Sequence, residues 1–222
     1  MLRPAPLLTF ARAALALLVL AAIGWQLRLH LAASYSALNF FSYFTNLSNL
    51  FAAGVLLVAA RSRGSRAGEV ARHDLLRYLA TVNMLVVGVV FALLLRNVDL
   101  GVLRPWINTL LHDVMPVAML VDWWRAPPRT ALGGWHVAIA LLFPAAYLVY
   151  VLVRGAATGW YPYPFLDPAK VGGYGAVALY AVGVAVAFVL AAWALLAIGN
   201  RRSASRLHAA TDCAGAPPVQ DV

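Results

Sequence analysis

Six long apolar blocks, separated by short polar segments, constrain this sequence more than any other feature. Each block matches the roughly 20 residues that an α-helix needs to cross the hydrocarbon core of a bilayer. Of all residues 63% are hydrophobic and 11% are charged, whereas a soluble domain usually carries about 25% charge. The sequence therefore predicts an all-α membrane protein, a six-transmembrane-helix bundle, and argues against a cytosolic enzyme. The predicted spans are 7–27, 38–60, 75–95, 102–124, 132–153 and 174–198.

The predicted chain has two parts: a six-helix transmembrane domain over 1–198 and a disordered tail over 199–222. The first span has an alternative interpretation as a cleaved signal peptide. Arg3 precedes its apolar run, and Ala22 and Gly24 form a pair of small residues suited to cleavage. The apolar run continues past this pair, which favours a retained helix.

The distribution of Arg and Lys predicts the orientation of the bundle. With six spans both termini lie on one side, which would carry twelve of the 17 cations. Cytoplasmic loops are enriched in Arg and Lys, so both termini are predicted to be cytoplasmic, in the cell membrane. The net charge of +9 then reflects topology rather than nucleic-acid binding, and membrane lipids are the expected partners. Arg12, inside the first span, is expected to reach the interface with its long side chain.

Uncharged polar residues cluster in the second predicted span. They are Asn39, Ser42, Thr45, Asn46 and Asn49, and in a continuous helix this spacing places them on one side. Hydrogen bonds between helices are a sufficient explanation for Asn39, Ser42 and the nearby Ser48 taken alone. The whole group exceeds what packing requires and favours a solvated or substrate-binding cavity.

The fourth predicted span contains a histidine and an aspartate. Asn108, His112 and Pro116 follow at intervals of four, on one face, while Asp113 is turned away by about 100°. Asn108 is therefore better placed than Asp113 to orient His112. Pro116 has no N–H, so the carbonyl of His112 is expected to be free and the helix to kink there. Such residues are candidates for a functional site, the alternative being a buried structural network.

Thr45 and His112 are predicted to lie at similar depth. Helix geometry places Thr45 about 10 Å and His112 about 13 Å below the outer boundary. A hydroxyl and an imidazole at one depth meet the first condition for a nucleophile and a general base. The predicted substrate-binding residues around them are Ser42, Asn46, Asn49, Asn108 and Asp113.

No cofactor is predicted. The sequence lacks the His-x-x-x-His and Glu-x-x-His spacings of metal sites. His112 and His136 differ in depth by about 10 Å, which argues against one haem held between them.

The loop over 155–173 is rich in Pro and aromatic residues. One interpretation is a rigid cap on the mouth of the bundle. The simpler and preferred one is a loop anchored at the lipid headgroups by Trp160 and Tyr161.

Three segments carry a resemblance to a known family. The sequences at 41–51 (FSYFTNLSNLF), 111–116 (LHDVMP) and 160–167 (WYPYPFLD) resemble the signature segments of a bacterial family of six-span membrane proteins. That family is distantly related to the eukaryotic androgen-induced and androgen-dependent membrane hydrolases. These relatives are threonine hydrolases that cleave fatty acid esters of hydroxy fatty acids. The resemblance implies Thr45 as the nucleophile and His112 as the base.

The sequence leaves two classes of function open. In the first, a membrane hydrolase cleaves an amphipathic acyl ester, and the amides of Asn46 or Asn49 stabilise the oxyanion. In the second, a non-catalytic membrane protein binds or transports a small molecule through the same cavity. Transport requires a polar path toward the cytoplasmic side, through Asn83 and Asp122.

Overall fold

The computed structural model describes residues 6–61, 67–98 and 101–214, and this part of the chain is helical without a strand. The α-helices are α1 (Pro6–Ala32), α2 (Ala37–Phe41), α3 (Phe44–Arg61), α4 (Ala67–Val90), α5 (Pro105–Thr109), α6 (Met115–Arg125), α7 (Trp135–Thr158), α8 (Pro168–Val171) and α9 (Tyr174–Ala214). Two π-helical turns interrupt them: Phe91–Leu95 continues α4, and Leu110–Val114 joins α5 to α6. A 3₁₀ turn at Pro164–Leu166 precedes α8.

Five of the described helices are long and apolar enough to cross a membrane. They are Pro6–Ala32, Phe44–Arg61, Ala67–Leu95, Trp135–Thr158 and Tyr174–Ser205. The prediction of an all-α membrane bundle agrees with this finding. The fourth predicted span, 102–124, is divided into α5, a π-helical turn and α6, so no single helix there reaches the length of a span.

The second predicted span is not one continuous helix. The break lies at Ser42 and Tyr43, between α2 and α3. Here the hydroxyl of Tyr147, from α7, donates to the carbonyl of Ser42 at 2.7 Å and accepts from the N–H of Phe44 at 3.2 Å. A side chain thus replaces main-chain hydrogen bonds that a continuous helix would have made. The predicted single helix is wrong here, and Asn39 lies in α2, apart from Thr45 in α3.

The last helix extends beyond the predicted boundary of the membrane domain. The predicted span ends at residue 198, whereas α9 continues to Ala214. The side chain of Asn200 pairs with the backbone of Leu132 through two hydrogen bonds, of 2.8 and 3.1 Å. These contacts explain why the polar residues just after 198 are held against the bundle. The last part of the predicted tail, 215–222, lies outside the described residues.

Three helices meet at a buried cluster of charges. Asp122 of α6 accepts from Arg12 Nε of α1 at 2.6 Å and from Arg77 Nη2 of α4 at 2.7 Å. Asp74 lies 4.0 Å from Arg77 and accepts from the backbone N–H groups of Arg129 and Thr130. The expectation that Arg12 reaches the interface is wrong, because its side chain is only 6% exposed. We call Arg12, Asp74, Arg77 and Asp122 the charge cluster.

Removing one carboxylate from the charge cluster is expected to destabilise the bundle. In Asp122→Asn, Arg12 and Arg77 lose their common partner while both remain buried, a change that typically costs about 3–5 kcal/mol. The exposed pair of Asp113 and Arg96, at 3.4 Å, is the matched control, because such pairs contribute about 0–1 kcal/mol. Thermal unfolding of the purified protein in detergent should show a much larger fall in Tm for Asp122→Asn than for Asp113→Asn. Equal shifts would contradict this account of the cluster.

Candidate active site

The structure brings Thr45 and His112 together. Thr45 is the second residue of α3, and His112 is the central residue of the π-helical turn Leu110–Val114. Their side-chain atoms Oγ1 and Nε2 are 3.2 Å apart, and both residues are 7% exposed. The hydroxyl and the imidazole are therefore in hydrogen-bonding contact inside the bundle.

The other ring nitrogen of His112 determines how this contact is made. Nδ1 lies 3.0 Å from the main-chain carbonyl oxygen of Asn108. A carbonyl can only accept, so Nδ1 carries the proton and the neutral ring presents the lone pair of Nε2 to Thr45. The residue expected to orient His112 does so, but through its main chain rather than its amide. Hydroxyl, imidazole and orienting acceptor form the arrangement by which a base activates a nucleophile.

The π-helical turn leaves the main-chain carbonyl of Leu111 without a helical donor, and the side chain of Asn49 supplies one. In a π-helix the partner of the Leu111 carbonyl would be the N–H five residues later, but that residue is Pro116, which has none. The Nδ2 of Asn49 donates to the Leu111 carbonyl at 3.2 Å and to the Thr45 carbonyl at 2.9 Å. Asn49 thus ties the first turn of α3 to the turn that carries His112.

An aromatic ring packs against one face of the His112 imidazole. Phe91 stacks on His112 with the ring centroids 4.2 Å apart and the planes inclined by 23°. Phe91 is the first residue of the other π-helical turn, Phe91–Leu95, which continues α4. Sequence reasoning missed this residue, because one Phe in an apolar span carries no signal of its own.

The loop between α7 and α8 covers the site. Tyr163 and Phe165 are 8% exposed and stack with an angle of 3° between the rings. The ring of Tyr161 lies directly against α7, where a Cβ added to Gly155 would come within 2.0 Å of Tyr161 Cε1. Through Tyr163 and Phe165 the loop packs over this end of the bundle, as in the first interpretation. Anchoring at the headgroups by Trp160 and Tyr161 stays a prediction. We call the end of the bundle under residues 159–173 the capped end.

The hydroxyl of Tyr163 reaches Thr45. It accepts from the Thr45 N–H at 3.3 Å and lies 3.5 Å from Thr45 Oγ1. Burial raises the pKa of the Tyr163 phenol above its ordinary value, so the group is protonated at neutral pH and can donate a hydrogen bond. Sequence reasoning assigned Tyr163 no role, although the segment Tyr-Pro-Tyr-Pro at 161–164 was a signal for a rigid, inward-facing loop.

Of the remaining predicted site residues, Asn46 lies beside Thr45, whereas Ser42 and Asp113 do not. Asn46 lines a cavity beside Thr45, and its Nδ2 donates to the Phe40 carbonyl at 2.8 Å. Ser42 Oγ donates to the Leu38 carbonyl at 2.7 Å and contacts the Tyr150 hydroxyl at 2.7 Å, at the helix break. Asp113 pairs with Arg96 and is 44% exposed. Ser42 and Asp113 are thus engaged away from the Thr45–His112 pair.

Two cavities meet at Thr45. The polar cavity, of 540 Å³, lies at the capped end and is lined by Gln26, Asn46, His112 and Lys170 among others. The apolar cavity, of 310 Å³, lies among α3, α4, α7 and α9 and is lined mainly by aliphatic and aromatic side chains. Thr45, Leu95 and Tyr163 line both cavities. The hydroxyl of Thr45 is thus at the boundary between a polar chamber and an apolar one.

The polar cavity does not continue toward the opposite end. Its deepest lining residues on the fourth predicted span are Leu111 and His112, and one and two turns further Met115 and Met119 are both 0% exposed. Asp122, which a transport path would use, is bound in the charge cluster. The described residues thus close the bundle beneath His112.

No family model, curated protein or solved structure matches this chain. Within the described residues, no group of three or more His, Cys, Asp or Glu side chains is arranged to hold a metal ion. A functional assignment therefore depends on the geometry around Thr45 and His112.

Proposed function

We propose that this protein is an integral membrane hydrolase of acyl esters, with Thr45 as nucleophile and His112 as general base. The observation that carries the proposal is the 3.2 Å contact between Thr45 Oγ1 and the Nε2 of His112. The bond from Nδ1 to the Asn108 carbonyl leaves Nε2 as the acceptor that a base requires. The resemblance of three segments to a bacterial family that is distantly related to membrane threonine hydrolases supports the same assignment, and we propose that the chain belongs to that bacterial family.

The first half of the reaction transfers the acyl group to the protein. His112 Nε2 takes the proton of the Thr45 hydroxyl as Oγ1 attacks the carbonyl carbon of the ester. The tetrahedral intermediate collapses, the bond to the alcohol oxygen breaks, and the alcohol leaves with the proton that His112 returns. An acyl ester on Thr45 remains.

Tyr163 is the best-placed donor to the oxyanion of that intermediate. Its protonated hydroxyl lies 3.5 Å from Thr45 Oγ1, and it lines both cavities. The amides of Asn46 and Asn49, the donors expected from the sequence, already donate to backbone carbonyls. A positioned donor of this kind stabilises negative charge most effectively where water is scarce.

The second half of the reaction requires water at Thr45. The polar cavity provides space for it on the side of His112. His112 takes a proton from the water as its oxygen attacks the acyl carbon, and Thr45 leaves with that proton. The carboxylic acid is released, so the overall balance is ester plus water to acid plus alcohol.

The closure beneath His112 favours a hydrolase over a transporter. Transport needs a second opening, and Asp122 on its expected route lies on α6 beyond Met115 and Met119, which are both fully buried and do not line the polar cavity. A hydrolase needs access from one side only. The polar cavity opens beside Thr45, where the reaction would occur.

We also propose six membrane crossings, with both termini cytoplasmic and the capped end outside. Five of the crossings are the long helices described above. The additional one, fourth along the chain, is the interrupted segment from α5 to α6, whose 21 residues, Pro105 to Arg125, are helical throughout. The excess of Arg and Lys in the segments on the side of the termini supports this orientation.

Loss of either member of the pair should strongly reduce turnover. In a screen of lipid esters with purified protein, His112→Ala is expected to lower kcat/KM by about 10²- to 10⁴-fold, the usual contribution of a general base. Thr45→Ala should lose labelling by a fluorophosphonate, and Thr45→Ser should keep it. Ser48→Ala is the matched control, because Ser48 is buried on the same helix with its hydroxyl unbonded. Undiminished labelling in both Thr45→Ala and His112→Ala would refute the mechanism.

Tyr163→Phe separates oxyanion stabilisation from substrate binding. The variant keeps the stacking on Phe165 and removes only the hydroxyl, so kcat should fall about 10²- to 10³-fold with KM nearly unchanged. Tyr43→Phe is the control, because Tyr43 lines the same polar cavity and contacts Tyr163 edge-on at 5.8 Å. Equal kcat values for the two variants would remove Tyr163 from the mechanism.

The orientation can be tested with the only cysteine of the chain, Cys213. With cytoplasmic termini, a membrane-impermeant thiol reagent should label Cys213 only after intact cells are permeabilised. Lys170→Cys in a Cys213→Ser background should be labelled without permeabilisation, because residue 170 is exposed in the cap. The reverse pattern would invert the proposed topology.

A further inference from the structure

The apolar cavity has no role in the chemistry at Thr45, and its lining suggests what it binds. Of the residues described around it, only Thr45, Tyr147 and Tyr163 carry hydroxyl groups, and none is charged. Its lining extends from Thr45 to side chains of α4, α7 and α9, such as Val87, Leu148 and Phe188. A chamber of this composition suits a hydrocarbon chain, because burial of each methylene is favourable and no polar group is left unsatisfied.

A groove on the outside of the bundle adjoins this cavity. It has a volume of 260 Å³ and lies between the end of α4, with its π-helical turn, and the first third of α9. Leu93 and Leu179, on its rim, are 76% and 74% exposed, so the groove is at the perimeter that would face lipid. Val90 and Val184 line both the groove and the apolar cavity. These two side chains therefore form part of the wall between the two spaces.

Small residues on α9 keep the groove open. Gly183 lines it, and a Cβ added there would meet no atom within 4 Å. The hydrogen bonds that hold α9 to α4 and α6 use the carbonyls of Ala192 and Leu195, beginning about two and a half turns beyond Gly183. The part of α9 beside the groove therefore takes part in neither of these two bonds.

We propose that this groove is a lateral portal through which the acyl chain of a membrane-embedded ester enters the apolar cavity. The inference rests on the proposed hydrolase function. The chain passes between Val90 and Val184, its carbonyl carbon stops at Thr45, and the alcohol portion occupies the polar cavity. Gly183 then determines access for long acyl chains, while short, water-soluble esters reach Thr45 through the polar cavity alone.

The test fills the portal and compares two routes of access. Gly183→Phe is expected to lower hydrolysis of a dodecanoyl ester in vesicles at least tenfold, with hydrolysis of the corresponding acetyl ester unchanged. Gly175→Phe is the matched control, since Gly175 is on the same helix with nothing within 4 Å of an added Cβ, and both activities should persist. Should Gly183→Phe fail to fold, Ala187→Phe fills the groove from one turn further along α9.

A second readout does not need turnover. A fatty acid with a diazirine on its chain, incorporated in phosphatidylcholine vesicles, should on illumination label peptides containing Leu148 or Phe188. Labelling should persist in Gly175→Phe and fall at least fivefold in Gly183→Phe. Unchanged labelling in Gly183→Phe, or none at these peptides in the wild type, would overturn the portal. Labelling without hydrolysis of any ester would support the portal and overturn the hydrolase.

Discussion

The hydroxyl of Tyr147 satisfies two main-chain groups on which the rest of the site depends. A polar main-chain group left unpaired at membrane depth costs several kcal/mol, so a helix can be broken there only where the bundle supplies partners. Tyr147 supplies both, donating to the carbonyl of Ser42 and accepting from the N–H of Phe44. The break lets α3 begin at Phe44, so Thr45 lies in its first turn, where main-chain N–H groups lack helical partners. Tyr163 accepts from the Thr45 N–H, and the capping loop is thereby joined to the same helix end.

A second interruption supports His112 in the same way. The π-helical turn Leu110–Val114 and Pro116 together leave the Leu111 carbonyl without its helical donor, and Asn49 of α3 supplies one. Pro116 packs against α4 where a Cβ on Gly88 would come within 3.0 Å of the proline ring. Asn49 therefore links the first turn of α3, which follows the break in the second predicted span, to the π-helical turn in the fourth. A change that straightened either segment would separate the hydroxyl from the imidazole.

The sequence was informative about the pair and uninformative about its surroundings. Periodicity and helical rise predicted Thr45 and His112 at one level, and the two side chains are in contact although the second predicted span is broken at Ser42 and Tyr43. The break at Ser42 could not be predicted, since its partner, Tyr147, is 105 residues away in the chain. The same holds for Phe91 and Tyr163, whose roles arise from contacts between distant segments. Arg12 read alone suggested a side chain that reaches the interface, and its contact with Asp122, 110 residues away in the chain, explains its burial.

Thr45 lies between a polar and an apolar cavity. A hydrolase of membrane esters needs both environments at its nucleophile. The acyl chain favours an apolar environment, whereas the water that releases it needs a polar one. A site in a uniformly apolar bundle would bind the ester but exclude water, and a uniformly polar site would hold water but gain nothing from the chain. Because Thr45 and Tyr163 line both cavities, the proposed nucleophile and the proposed oxyanion donor lie where the two environments meet. The break in the second span creates this boundary, since it ends α2 on the polar side and begins α3 beside the apolar cavity.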